Sequence, residues 1–265
     1  MFDRFSRSIN YLRISVTDRC NLRCAYCMPE DGIRLLDHSD ILSFEEITEF
    51  TRFAVQNGIT KVRLTGGEPL VRKGIVELVA MLAAIDGLED ISMTTNGILL
   101  SKYAADLKKA GLNRINISLD TVNPDNYCQI TRNGDLAKVL EGIEAAHQVG
   151  LQPIKINCVL IGQPDDETIQ LRQFCEDRGL KLRFIHQMNL KTGEFSNVEG
   201  GEGGNCSKCN RVRLLANGDI KPCLFSDLAY NIRELGSEQA LNQALGNKPK
   251  SGTYNKSGEF YNIGG

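Results

Sequence analysis

The chain has little of what would mark it for a membrane, a nucleic acid or the outside of a cell. Its 265 residues carry a formal net charge of −2 with a pI near 6.0, so no surplus of positive charge points to a nucleic-acid or membrane-surface partner. The longest apolar stretch, Ile75 to Ile85, is short and interrupted by Glu77, well below the ~20 apolar residues of a spanning helix. The opening segment, Met1 to Asn10, alternates charged and apolar residues, which does not fit a secretory signal. A cytoplasmic protein is expected. Nor do nine cysteines in a chain of this length make a small disulfide scaffold. In a reducing compartment, clustered thiols usually mean metal.

Between residues 11 and 187 runs rich in branched apolar residues alternate with helical patterns. The strand candidates are Leu12 to Val16, Lys61 to Thr65, Ile91 to Thr95, Arg114 to Leu119, Ile154 to Leu160 and Leu182 to His186; between them lie helical runs near Phe44–Gln56, Ile75–Ile85, Lys102–Ala110, Leu136–Val149 and Glu167–Arg178. Gly58, Gly111, Gly150 and Gly179 each follow a helical run, where a left-handed cap is needed. Strand-helix alternation predicts a parallel sheet covered by helices, either a partial barrel of six units or an open doubly wound sheet. In both, sites gather at the carboxyl ends of the strands. After Met188 a glycine-rich linker, Gly200 to Gly204, leads to a predicted hairpin, Arg211–Leu215 and Ile220–Phe225 around Asn217-Gly218. A helix near Ser237–Leu245 follows, and the polar tail from Gly246 to Gly265 is expected to be mobile unless something captures it.

Six of the cysteines form two groups, Cys20, Cys24 and Cys27 in one, Cys206, Cys209 and Cys223 in the other. A structural zinc site wants four ligands. The first group has no fourth cysteine, and His38 is the one candidate histidine near it; the second has no nearby histidine. Three thiolates suit a cubane iron-sulfur cluster that keeps one iron open for a ligand. The single cysteines Cys128, Cys158 and Cys175 read as small buried or incidental residues.

Other motifs end or occupy the strand runs: Thr65-Gly66-Gly67-Glu68-Pro69, Thr94-Thr95-Asn96-Gly97 and Ser118-Leu119-Asp120. Adjacent glycines allow close backbone approach to a ligand; the bland reading of Gly-Gly-Glu-Pro is a tight turn. Arg13 and Arg63 lie inside strand runs, as does Lys155, and three cations pointing into one barrel would suit a polyanion such as a triphosphate. Arg211 and Arg213 lie between ligands of the second group.

The pattern Cys20-x3-Cys24-x-Tyr26-Cys27 resembles the signature of the radical S-adenosylmethionine (SAM) superfamily. A closer resemblance, covering nearly the whole chain, rests on Leu12-Arg13-Ile14-Ser15-Val16-Thr17-Asp18-Arg19-Cys20, the loop through Met28-Pro29, Arg63 to Leu70, Thr94 to Gly97, Ser118-Leu119-Asp120, Cys209-Asn210-Arg211-Val212-Arg213-Leu214 and the final Gly264-Gly265. These pieces resemble the MoaA family, the GTP 3′,8-cyclases of molybdenum-cofactor biosynthesis. The resemblance implies an α/β fold, a partial (β/α)6 TIM-like barrel over residues 1–188 with a small C-terminal iron-sulfur cluster domain over 189–265. It also implies two 4Fe-4S clusters, one on Cys20, Cys24 and Cys27 and one on Cys206, Cys209 and Cys223. Tyr26, Gly67, Ser118 and Met188 would contact SAM. Arg13, Arg63, Thr94, Lys155, Arg211, Val212 and Arg213 would hold GTP, with Arg211, Arg213, Gly264 and Gly265 serving the chemistry.

The implied reaction is abstraction of the ribose 3′ hydrogen by a 5′-deoxyadenosyl radical, attack of that carbon on C8 of guanine, and reduction to 3′,8-cyclo-7,8-dihydro-GTP. An electron donor and a downstream molybdopterin-pathway enzyme would be partners, and a homodimer is left open. In one place the chain departs from the family: only 17 residues separate Met188 from Cys206, where the family usually has a longer segment that helps close the barrel. The alternative reading is a radical SAM maturase with an auxiliary cluster acting on a peptide or other substrate, which would have no need of Arg13, Arg63 and Lys155 together; a non-enzyme alternative, a binding module with zinc on six thiolates in two half-sites, leaves Gly66-Gly67-Glu68-Pro69 and the barrel unexplained.

Overall fold

The alternation of branched and charged residues in the first strand run sets the architecture. In β1 (Tyr11–Ser15), Leu12 and Ile14 are fully buried while Tyr11 and Arg13 are half-buried on the other face, as the two-residue period of a strand requires. The computed structural model describes residues 1–258 and 260–263. After β1 come α1 (Phe44–Gln56), β2 (Lys61–Thr65), α2 (Ile75–Ala83), β3 (Asp90–Thr95), α3 (Leu100–Lys109), β4 (Arg114–Ser118), α4 (Pro124–Thr131), α5 (Leu136–Gln148), β5 (Lys155–Leu160), α6 (Asp166–Asp177) and β6 (Lys181–His186). The predicted strand-helix alternation is observed, with α4 as an addition. Gly58, Gly111, Gly150 and Gly179 all have positive φ after their helices, the conformation in which a side chain is strained.

A further strand, β7 (Arg211–Leu214), pairs in parallel with β1, and β8 (Asp219–Lys221) and β9 (Tyr230–Asn231) extend the sheet antiparallel. The nine-stranded order is β6-β5-β4-β3-β2-β1-β7-β8-β9. Val212, Leu214 and Ile220 share one core with the strands before them, so the second cysteine group hangs from the same sheet as the first. The hairpin's second strand ends at Lys221, before Pro222, which has no N–H for a sheet ladder. Next, α7 (Ile232–Gly246) is broken at Gly236, φ 75°.

The sheet is curled. Five strand spacings separate β6 from β1, ~24 Å if flat. Arg183 on β6 is nonetheless within electrostatic range of Tyr11 on β1 and of Arg211 on β7, which a partial barrel brings about by turning the two ends of the parallel sheet toward one another. The short segment after Met188 folds back on the free edge of β6, where Phe184 and Glu199 exchange backbone hydrogen bonds of 3.1 and 3.0 Å. It then crosses to β7. A Cβ at Gly200 would sit 2.6 Å from the Leu182 carbonyl oxygen, so this return requires glycine.

The tail is captured where it is described. Asn255 is fully buried, its N–H donating to the Leu190 carbonyl at 2.7 Å and its side-chain amide to the Leu224 carbonyl at 3.0 Å. Asp227 accepts from the backbone of Lys256 and Ser257. α8 (Phe260–Ile263) packs Ile263 into a small core with Leu190, Leu215 and Phe225. No described helix is long and apolar enough to cross a membrane.

Candidate active site

The first cysteine loop leaves the carboxyl end of β1 and is held from two sides. The Gly67 N–H donates to the Thr17 carbonyl at 2.7 Å and the Glu68 N–H to the Arg19 carbonyl at 2.8 Å. On the far side, the N–H groups of Arg23 and Ala25 bond the last carbonyls of α4, those of Thr131 and Ile130, at 3.2 and 3.0 Å. Between these anchors Cys27 and Met28 both donate to the Cys24 carbonyl, a tight turn that keeps Cys24 and Cys27 together. The glycine pair has a use besides approach to a ligand: a Cβ on Gly66 would lie 2.6 Å from the Thr17 carbonyl oxygen, and one on Gly67 would collide with that of Arg19. Glycine is what lets this turn press against the cysteine loop.

Glu68 ties the loop to β3. Its fully buried carboxyl accepts from the Leu70 N–H at 3.0 Å, the Thr95 hydroxyl at 2.7 Å and the Asn96 N–H at 2.7 Å. Burial raises it to about 7, against the pull of those three donors. Asn96 in turn donates to Asn21 at 2.8 Å and reaches the Cys20 sulfur at 3.9 Å. Tyr26 donates its hydroxyl to Asp120 at 2.9 Å, and the same carboxyl accepts from the Val159 N–H at 2.7 Å. Thus the ends of β2, β3, β4 and β5 all bear on one loop.

Burial pushes the Cys24 thiol up to about 12 and Cys27 to about 11, with the charge of Asp120 adding at Cys24 and that of Cys20 at both. Cys20 moves the same way by burial. Three mutually close thiols in such surroundings deprotonate when a cationic centre takes the protons' place. Among the described residues no three His, Cys, Asp or Glu side chains converge on a single metal ion; a cubane spreads its thiolates over separate irons and does not ask for that convergence. The donor set therefore fits a cluster.

Below this rim the barrel is lined with cations. In register across the sheet, Arg13 pairs with Arg63 on one side and Arg213 on the other, and Tyr11 with Lys61 and Arg211. Arg114, Lys155 and Arg183 join from β4, β5 and β6, within range of Arg63 and of one another. Burial, then the neighbouring guanidiniums, lower Arg13 to about 10 and Arg213 to about 9. Lys155 falls to about 8 for the same two reasons. Arg114 has a carboxylate partner in Asp90, whereas among the described residues the buried Nε of Arg13 and the buried Tyr11 hydroxyl find no carboxylate or carbonyl to bond and have mainly one another as polar neighbours. The Arg13 and Arg63 guanidiniums flank the Tyr11 ring at 5.9 and 5.5 Å. Burial raises the Tyr11 phenol, and Arg13, Arg63, Arg114 and Arg211 together outweigh it, leaving it lowered. So many like charges are costly without an anion between them. Sequence reasoning missed Tyr11, Arg114 and Arg183; the period of two signals the first two, which share a strand face with Arg13 and Ser118, whereas Arg183 comes to the face of Lys155 only through the pairing of β6 with β5.

The second cysteine group lies at the opposite end. Cys209 precedes β7 and Cys223 follows β8, which is the end aligned with Tyr11 rather than Ser15. Five strand residues, ~16 Å of rise, separate the two groups across the cationic lumen. Burial raises Cys209, but the Lys248 ammonium and the Arg211 backbone N–H and guanidinium bring it below its ordinary value. Cys223 stays raised by burial against Lys248 and Arg213. These three thiols fit a second cluster by the same donor chemistry.

Of the other expected residues, Thr94 and Ser118 are half-buried on β3 and β4 near the rim, with Gly67 beside the first cysteine loop. Met188 packs beside Leu190 and Phe225. The Val212 side chain faces the core, so only its backbone is available to the lumen. Gly264 and Gly265 lie outside the described residues. Cys158 and Cys175 are buried in the core and Cys128 is exposed.

Residues 14–175 match the Radical SAM superfamily. The chain is 47% identical to a GTP 3′,8-cyclase of Alkaliphilus oremlandii, over 88% of this chain and 86% of the relative. It is 42% identical to one of Petrotoga mobilis, over 98% of this chain and 97% of the relative. That second alignment spans 313 positions, longer than this chain, so the relative carries residues that this chain lacks. Among solved structures, SuiB of Streptococcus suis bound to precursor peptide SuiA superposes with a TM-score of 0.69 at 18% identity, over 93% of this chain and 66% of that one. Native anSMEcpe with bound AdoMet gives 0.67 at 15% identity, over 91% and 81%. These two likenesses show the fold. With a cysteine loop at the rim of a partial barrel and 42–47% identity to such relatives, the chain belongs to the radical SAM superfamily and, within it, to the GTP 3′,8-cyclase family.

Proposed function

We propose that this chain is a GTP 3′,8-cyclase, forming 3′,8-cyclo-7,8-dihydro-GTP with SAM as cosubstrate. The observation that carries the reading is a lumen in which Arg13, Arg63, Lys155, Arg183, Arg211 and Arg213 converge between two cysteine groups. Cys20, Cys24 and Cys27 would hold one 4Fe-4S cluster, and Cys206, Cys209 and Cys223 the other. When bound, the clusters supply the electron that cleaves SAM to the 5′-deoxyadenosyl radical and an open iron for the guanine end of the substrate.

The protein's own groups do the rest. Arg13, Arg63 and Lys155 neutralise the triphosphate, and guanidiniums on neighbouring strands grip its oxygens in the forked geometry suited to phosphate. Thr94 adds a hydroxyl from β3. Arg211 and Arg213, next to the second group, orient the base and stabilise charge that develops as C8 is attacked and reduced. Tyr26, fixed by Asp120, together with Gly67 and Ser118 positions SAM beside the first group, and Met188 completes that contact set. Held at both ends between the two cysteine groups, the ribose 3′ carbon stays within reach of one radical. The terminal Gly264-Gly265, without side chains, would enter the lumen and help organise the radical step. A GTP substrate, an external electron donor and a downstream molybdopterin-pathway enzyme follow from this reading, as does cytoplasmic residence.

The test is anaerobic reconstitution followed by incubation with SAM, reductant and GTP, with mass analysis of the nucleotides. A product of unchanged mass formula but altered fragmentation, formed with 5′-deoxyadenosine, is expected. SAM cleavage with GTP recovered intact would overturn the substrate assignment.

A further inference from the structure

Lys248 sits in a tail whose composition reads as solvated, yet it is 2% exposed. Its ammonium donates to the Arg211 carbonyl at 2.7 Å and to the Pro222 carbonyl at 2.5 Å. Those carbonyls belong to the residue two after Cys209 and the residue just before Cys223. The same charge acts on the sulfurs of both cysteines. No carboxylate among the described residues is paired with it. The remaining side-chain hydrogen bond of Lys248 goes to Cys209, and a buried ammonium that meets no carboxylate is costly unless negative charge lies close by.

The segment carrying Lys248 is fixed to the third ligand as well. Arg7, paired with the buried Asp3 at 2.6 Å, donates to the carbonyls of Pro249 at 2.6 Å and Lys250 at 3.0 Å, and to that of Cys206 at 2.8 Å. Two cations thus tie the chain after α7 to all three cysteine positions of the second group, and Asp3 orients one of them.

We propose that Lys248 is a positioning residue for the second cluster: it braces the strands that carry Cys209 and Cys223 and places a fixed positive charge beside their thiolates, making that cluster easier to reduce. This rests on the two-cluster reading above. The physics is that a nearby cation favours the state with one more electron, as net charge and hydrogen bonding set cluster potentials. Arg211 and Arg213 face the lumen and its substrate, whereas Lys248 approaches from the tail and bonds backbone.

The experiment compares reconstituted wild type with Lys248→Gln, which keeps N–H donors without the charge, and Lys248→Met, which removes both. Iron per chain is measured, and each cluster's reduction is followed by electron paramagnetic resonance during redox titration, the first cluster serving as internal reference. For Lys248→Gln the second cluster should load and be at least tenfold harder to reduce, ~59 mV for a one-electron couple, with the first unmoved. Lys248→Met should lose iron from the second group alone. An unchanged second potential in a loaded Lys248→Gln protein overturns the proposal. So does loss of both clusters, which would make Lys248 a support of the whole fold. Wild type holding roughly four irons would instead refute the two-cluster reading itself.

Discussion

At the carboxyl rim, Cys24 and Cys27 sit among burial and negative charge, with Asp120 close enough to raise Cys24 further. At the other end, Cys209 and Cys223 face Lys248, Arg211 and Arg213. Each group has three thiols, but the carboxyl of Asp120 acts on Cys24 in the first, whereas the cations of Lys248, Arg211 and Arg213 act on Cys209 and Cys223 in the second. The difference teaches how one barrel divides the work. On the function proposed above, a nearby carboxylate would make the first cluster the stronger reductant, suited to delivering an electron to SAM, and nearby cations would suit the second to an anionic nucleotide.

The strongest way to break the comparison is to remove one group at a time. Replacing Cys20, Cys24 and Cys27 by Ala should abolish SAM cleavage while about half the iron remains, measured by iron analysis and 5′-deoxyadenosine yield. Removing Cys206, Cys209 and Cys223 should leave SAM cleavage in place and abolish cyclisation. If either triple variant lost both activities together with all its iron, the two ends would not be separable. Deleting Gly264 and Gly265 should also suppress product strongly with iron content and GTP binding kept; normal product yield would make the pair an ordinary terminus.

Next in size is the lumen between the groups. Arg63→Ala should weaken GTP binding about ten- to a hundredfold, the worth of a charged hydrogen bond or two, by equilibrium dialysis. Arg13→Met should weaken it too, yet raise the stability of the nucleotide-free protein by about 1 kcal/mol, because it removes a buried cation set among other cations. A fall in stability would mean the cluster of charges is already compensated without substrate.

The smallest effect concerns pH. Lys155 is lowered to about 8 by burial and by Arg183, Arg114, Arg63 and Lys181. It is charged below that value and neutral above it, so GTP affinity should fall severalfold between about pH 7 and 9. Lys155→Arg should flatten that fall; an equal decline in the variant would assign it to another group.

Much of this was legible in the sequence. Leu12, Arg13 and Ile14 announce a strand with a charged face, and the cysteine spacing announces a three-thiol loop. α4 was not, because Pro124–Thr131 is short and has little apolar periodicity, although Asn123 caps it through bonds to the Asp125 and Asn126 N–H groups. β9 has two residues and is made by its neighbour β8 rather than by propensity. The glycine pair by itself suits either a ligand or a tight turn, and the Thr17 and Arg19 carbonyls that need it become visible only in the folded loop. Lys248 and Asn255 were hidden for the plainest reason: a polar side chain in a polar tail declares its burial only when the carbonyls that receive it are in place.

The most direct test of the whole account uses GTP carrying deuterium at the ribose 3′ carbon. If the lumen holds the nucleotide by its phosphates at one end and its base at the other, the radical formed at the rim reaches that one hydrogen. Mass analysis should then find deuterium in the 5′-deoxyadenosine released, together with cyclised nucleotide. Unlabelled 5′-deoxyadenosine formed from labelled GTP would contradict it.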